Sequence, residues 1–239
     1  MGEGGERPMK VRRLASSKPK LGRIVTVYVG RGDKARDFSI HDEILKQHSD
    51  FFKAALAGDR WQEGVERKVS LPEDDPETFE GFQCFIYSGK TFVEDAVQRV
   101  VQDDGSIIDQ EYVRISTAWS LADKLQSCTY KDAVTDTLAL KMAPGNCHPI
   151  NLQTVLSDGT PASVGYMRLL IDIAVQTWRS TTFDNLDVEK APKVFMQKLL
   201  KGLADAKDRL VQDKLWLKED CHYHDHGEEK PCYKTMFTY

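Results

Sequence analysis

Between Ile24 and Gly30 the chain reads IVTVYVG, with Val25, Val27 and Val29 facing one way and Ile24, Thr26 and Tyr28 the other. Period-two alternation of β-branched and aromatic side chains is the pattern of a strand, and apolar residues on both sides predict that it is buried. The GRGDKA that follows supplies Gly and Asp for a hairpin turn, and DFSIH returns as a second short strand. A sheet therefore starts the ordered part of this chain.

The stretch DFSIHDEILKQHSD, residues 37–50, concentrates two histidines, four carboxylates and two serines. That density raises the question of catalysis, and local chemistry answers it differently. Asp42 and Glu43 stand where the first turn of a helix favours negative charge, with Ile44 and Leu45 turned inward. Ser49 precedes DFFKAAL, whose Phe51, Phe52, Ala55 and Leu56 recur at helical spacing, so its hydroxyl is expected to cap a helix at Asp50 to Leu56. A nucleophilic serine would need an exposed elbow such as G-x-S-x-G, and none occurs here.

Further along, Lys68 to Leu71 reads as a strand. Asp75 as N-cap, Pro76 in the first turn, the stripe Phe79, Phe82, Phe85 and Ile86, and Gly89 as stop define a helix. AVQRVVQDDGSIIDQ is polar and glycine-interrupted and is expected to be a variable loop with one helical turn. Period 3.6 then returns, with Ile115, Ala118, Trp119, Ala122 and Leu125 on one face and Tyr130, Ala133, Val134, Thr137 and Leu138 on another. The Pro- and Gly-bearing APGNCHPINL, residues 143–152, marks a boundary. Beyond it, Tyr166, Leu169, Leu170, Ile173, Ala174 and Trp178 form the stripe of an amphipathic helix, and the lysine-rich APKVFMQKLLKGLADAKDRLVQDKLWL repeats the pattern over one or two more.

The succession of a strand ending in F-x-I-H, a short I-L helix, S-x-F-F-x-A-x-L, a strand, and a helix closing in Y-x-G resembles the BTB/POZ domain. LADKLQ…YKDAVTDTL resembles the helical pair that closes such domains. With RLLIDI and the His-rich end, the chain is similar to the short BTB proteins of filamentous fungi. The resemblance implies an α+β fold, a small sheet flanked by helices, followed by a helical extension. The expected division is a disordered basic arm at 1–22, a BTB/POZ domain at 23–142, a helical extension at 143–218 and a Cys/His-rich tail at 219–239.

The resemblance implies binding rather than catalysis, with no cofactor. In BTB proteins that serve cullin-type ubiquitin ligases, a hydrophobic residue, any residue and a glutamate follow the helix expected at Asp50 to Leu56. Trp61-Gln62-Glu63 occupies that position, and Phe52 on the helix is taken with it as a partner-binding residue. The alternative is a self-associating BTB scaffold in transcription or chromatin regulation. A strand-swapped dimer is disfavoured, because the segment before Ile24 offers only Met9, Val11, Leu14 and Leu21 as larger apolar residues. A hydrolase using His41 with Ser49 is the enzymatic alternative, and it lacks a pocket signature.

The tail DCHYHDHGEEKPC brings Cys221, His222, His224, His226 and Cys232 within reach of zinc chemistry. An extended strand would put the three histidines on one side. The usual C-x2-C pairs are missing, so the expectation is a structural tail without a metal, with these five residues as the candidate ligands should one bind. Five cysteines, odd in number and mostly far apart, do not form a secreted disulfide framework. The N-terminus lacks an apolar signal region, no membrane-length apolar run occurs, and a net charge of −4 gives no global pull toward nucleic acid. The expectation is a cytoplasmic or nuclear protein whose partner is another protein.

Overall fold

A computed structural model describes residues 20–57, 65–91, 99–101, 107–142, 165–184, 186, 188–189, 191–206, 221–226 and 230–236, with backbone pairing only at 99–101 and 107–109. Strand β1 (Ile24–Val29) is the centre of a three-stranded sheet. β2 (Arg36–His41) runs antiparallel to it with Val27 opposite Phe38, and β3 (Lys68–Leu71) runs parallel with Val27 opposite Val69. Between β1 and β2 lies a single 3-10 turn at Gly32–Lys34. This sheet is buried on one face only. Val25, Val27, Val29, Phe38, Ile40, Val69 and Leu71 point into the core, while Ile24 and Tyr28 are 50% and 43% exposed. The sequence expectation of a fully buried β1 is corrected accordingly: mixed and antiparallel sheets commonly keep one face in water, and Thr26 and Tyr28 tolerate it.

The crossover from β2 to the parallel β3 passes through α1 (Asp42–His48) and α2 (Asp50–Ala55). Ser49 separates the two helices. Its Oγ accepts from the Phe52 amide at 3.1 Å and donates to the Leu125 carbonyl at 2.6 Å. The cap therefore also ties this helical corner to the helix pair downstream. Helix α3 (Pro76–Ser88) starts as its sequence dictates. Asp75 Oδ2 accepts from the Thr78 amide at 2.8 Å, and Gly89, at φ 68, takes the left-handed conformation that a Cβ would disfavour and closes the last turn on Phe85. Its Phe79, Phe82, Phe85 and Ile86 cover the sheet and meet Phe38 and Phe52 in an aromatic cluster, with ring centroids 5.0 Å apart for Phe38 and Phe79.

The segment expected to be a variable loop contains an antiparallel pair instead, β4 (Arg99–Val101) with β5 (Ile107–Asp109). The reason was present locally: Val100-Val101 and Ile107-Ile108 are β-branched, and they flank Asp-Asp-Gly, a turn-forming run. Helices α4 (Gln110–Lys124) and α5 (Cys128–Met142) follow as an antiparallel pair. α6 (Gly165–Thr177), α7 (Ser180–Asp184) and α8 (Lys193–Ala206) form the helical C-terminal part, and a short α9 (Tyr233–Met236) ends the described chain.

The buried residues of the sheet, of α1 to α5, and of α6 and α8 form one hydrophobic core rather than two. Trp119 of α4 stacks on Tyr166 of α6 at 5.0 Å and 24°, and the Tyr166 hydroxyl lies 3.3 Å from Ser116 Oγ. Helix α6 buries Met167 and Ile171 as well as Tyr166, Leu169, Leu170, Ile173 and Ala174 of the expected stripe, so it is enclosed on most sides, while Trp178 lies just past its end and is half-buried. The expected boundary at 143–152 lies outside the described residues.

Because Ser49 is buried and bonded both to its own helix and to Leu125, Ser49→Ala should cost about 1–2 kcal/mol in denaturant unfolding. An unchanged free energy would show that neither bond contributes.

Candidate functional site

The carboxylate- and histidine-rich stretch at 37–50 is not assembled as a catalytic group. Ser49 Oγ is buried and committed to a carbonyl, while His41 Nδ1 lies 2.8 Å from the Tyr87 hydroxyl at the end of β2. His48 is buried at the end of α1, edge-on to Phe85 and 3.4 Å from Thr129 Oγ1. Asp42 does more than start a helix. Its carboxylate accepts from the Arg23 amide at 2.8 Å, from Arg67 at 2.5 Å and from Lys46 at 3.2 Å, joining the approach to β1, the approach to β3, and α1. Burial opposes its ionisation, but these donors outweigh it and hold the carboxyl below the usual carboxylate range.

Of the expected partner-binding residues, Trp61, Gln62 and Glu63 lie outside the described residues. Phe52 is placed plainly, and not at a surface. Its side chain has no exposed area and stacks on Phe82 at 6.5 Å and 13°, so it is a core residue and leaves the partner-binding set. Nothing in the DFFKAAL pattern separates Phe52 from Phe51 on this point. Once the helix lies against α3, the ring that faces Phe79 and Phe82 becomes the buried one, and Phe51 stays half-buried.

The Cys/His tail forms a second constellation. Residues 221–226 fold as turns, not as an extended strand, with the His224 amide donating to the Cys221 carbonyl at 3.0 Å. Alternation is therefore lost, and His222 diverges to an exposed position edge-on to Tyr223. The other four residues converge: one ligand atom each from Cys221, His224, His226 and Cys232 lies within 4.8 Å of all the others. Cys232 Sγ is 3.5 Å from His224 Nδ1, and burial, the largest influence on it, raises the Cys232 thiol above its ordinary pKa. Cys84, Cys128, Cys221 and Cys232 are free thiols.

What holds this corner was not legible in the tail itself. Helix α5 contributes Asp132 and Asp136, one turn apart. His224 Nε2 is 3.0 Å from Asp136 Oδ1, the Tyr233 hydroxyl and Lys234 also reach the Asp136 carboxylate, and the Asp225 amide donates to Asp132 Oδ1 at 2.8 Å. Burial raises Asp136, but the donors from His224, Lys234 and Tyr233 outweigh it and keep the carboxyl below its usual range. Asp132 is less compensated, and burial pushes it up to about 6. Helix α6 holds the other side. Arg168 donates to the His222 carbonyl at 3.1 Å, Asp172 accepts from the Tyr223 hydroxyl at 2.9 Å, and the Gly165 amide donates to Asp225 Oδ1 at 2.8 Å. A Cβ at Gly165 would overlap the Tyr223 carbonyl, so only glycine permits this approach. The signal in the sequence was the pair of aspartates in YKDAVTD, two acids one turn apart beside the apolar stripe of the helix.

A family model for the BTB/POZ domain matches residues 21–107, the span from the entry to β1 through α3 to the start of β5. The chain carries a BTB/POZ domain. Its three-stranded sheet flanked by helices is an α+β arrangement, as the sequence resemblance implied, and the helical part follows it. BTB/POZ domains are protein-interaction modules, so this one is assigned that general role. No curated protein matches the chain. No helix among the described residues is long and apolar enough to cross a membrane.

Burial holds His48 neutral in the folded domain, with its pKa pushed down to about 4. The unfolded chain takes up that proton near the ordinary value of about 6.5, so folding loses stability as pH falls from about 6.5 to about 4, by up to about 3 kcal/mol. Comparing wild type with His48→Gln in urea unfolding at about pH 7 and about pH 4.5 isolates the contribution, since the other titrating groups are common to both. Equal acid losses in the two proteins would show that His48 does not carry it.

Proposed function

We propose that this protein is an adaptor whose BTB/POZ domain takes a protein partner, and that the partner is a cullin-type ubiquitin ligase scaffold. The observation that carries the reading is the placement of Trp61-Gln62-Glu63 shortly after α2 within the matched domain. In the BTB proteins that this chain resembles, a hydrophobic residue and a glutamate so placed contact the cullin. The physical sense is that of an interface hot spot: an aromatic anchor enters a pocket and a nearby charge fixes its orientation. Gly58, Asp59, Arg60 and Gly64 around the triplet are small or polar, which suits a loop that offers a single anchor. Val65, 61% exposed at the near end of the next described segment, extends the apolar contact that a partner could cover.

A second reading is self-association, and exposed Ile24 and Tyr28 on the outer face of β1 favour it. Both readings treat the domain as a binding surface. They differ in whether the partner is a second copy or a cullin.

Under the adaptor reading, Trp61→Ala should weaken cullin binding by about 2 kcal/mol or more in isothermal titration while barely moving the melting temperature, and Glu63→Lys should act mainly through charge. Should Trp61→Ala instead lose about 3 kcal/mol of folding stability, the ring belongs to the core. Wild-type protein with no cullin affinity at about tens of micromolar, together with a dimer in sedimentation, would displace the adaptor reading in favour of self-association.

A further inference from the structure

The corner at Cys221, His224, His226 and Cys232 has the donor set, the spacing and the support of a metal site. Two thiols and two imidazoles follow as C-x2-H-x-H-x5-C, and their ligand atoms cluster within 4.8 Å. Around a tetrahedral zinc with bonds of about 2.0–2.3 Å, neighbouring ligand atoms stand roughly 3.3–3.8 Å apart. The 3.5 Å between Cys232 Sγ and His224 Nδ1 already lies in that range. The others need to move by no more than about 1.5 Å to reach it.

Histidine orientation gives a second, independent indication. His224 turns Nδ1 toward the cluster and Nε2 toward Asp136, so the carboxylate accepts the Nε2 proton and leaves the Nδ1 lone pair for a ligand. A carboxylate behind a ligating imidazole is the usual second support of a zinc-bound histidine. The main chain is equally restrained, since Arg168, Asp172, Gly165 and Asp132 hold residues 222–225 between α5 and α6.

We propose that Cys221, His224, His226 and Cys232 bind a structural zinc ion that fastens the C-terminal segment to α5 and α6 of the BTB-bearing core. All four positions are filled by protein, so the site is closed and offers no place for a substrate. On binding, the two thiols lose their protons to solvent and the imidazoles bind neutral, so the two thiolates balance the charge of Zn²⁺. His222 takes no part. The mixed thiolate and imidazole set selects zinc over calcium or magnesium, which require oxygen ligands. The tail then acts as a clasp. Tyr233 packs against Phe85 at 6.2 Å and Lys230 reaches Asp50 of α2 at 3.2 Å, so fixing Cys232 orders contacts with the BTB/POZ domain itself.

The test is metal analysis of the untagged full-length protein expressed with zinc. The expected result is close to one zinc per chain after gel filtration, a melting temperature that a chelator lowers and zinc restores, and, after cobalt exchange, the thiolate-to-cobalt absorption and intense visible bands of a tetrahedral site. Cys232→Ser and His224→Ala should each lose the metal, whereas His222→Ala should keep it. Should the two former variants fail to fold, the wild-type chelator and cobalt measurements decide alone. Metal-free wild type whose melting point zinc does not raise would overturn the site. So would a Cys221–Cys232 disulfide in thiol titration, or zinc loss in His222→Ala equal to that in His224→Ala.

Discussion

Helix α5 is covered around most of its circumference, and Leu140, 68% exposed, is the large apolar side chain it leaves in water. Tyr130, Ala133, Val134, Leu138, Ala139 and Met142 are buried around its circumference, and so are Asp132 and Thr135. A helix of this kind must be covered from several directions at once, because each large apolar side chain left exposed would forfeit about 1.5–3 kcal/mol. One side is met by α3 and α4: Tyr130 packs on Phe82 and Phe85, with centroids 5.4 and 5.0 Å away, and the Tyr112 hydroxyl donates to Met142 Sδ at 2.9 Å. The other is met by α6 and by the Cys/His segment. The C-terminal part is thus the remaining wall of the core, and both the BTB/POZ domain and the helical part pack against α5.

Buried and half-buried acids mark the joints of this arrangement. An ionised carboxylate inside a protein is tolerated only with compensating donors, so each such group constrains the elements that supply them. Asp42 draws together the entry to β1, the entry to β3, and α1. Asp136 draws in His224, Tyr233 and Lys234 from the tail, and Asp132 takes the Asp225 amide. The polar network on α5 thereby fixes where the last segment docks, and apolar contact with Phe85 through Tyr233 completes it.

Local devices in this chain were legible from the sequence, and long-range ones were not. Ser49 and Asp75 act through residues three positions away, so their caps could be read from the pattern alone. The β1, β2 and β3 strands and the helices α3 to α5 follow from periodicity in the same way. The β4–β5 pair was misread because Gly105 was weighed as a loop signal, although β-branched runs flank it. Phe52 could not be told from Phe51 until α3 was in place. The convergence of Cys221, His224, His226 and Cys232 was hidden more deeply. It depends on aspartates about ninety residues earlier and on a glycine at α6 that lets two backbones touch.

The central claim is that the BTB/POZ domain and the helical C-terminal part form one cooperative core about α5. Native-state hydrogen exchange of Tyr166→Ala tests it most directly, since Tyr166 is wholly buried on α6 against Trp119. A large-to-small change there costs about 3–5 kcal/mol. With one core, the amides of Val25 and Val27 in β1 should lose protection by the same free energy as those of Leu169 and Leu170 in α6. Loss confined to α6 and α8, with β1 protection unchanged, would show two separately stable units and contradict the account.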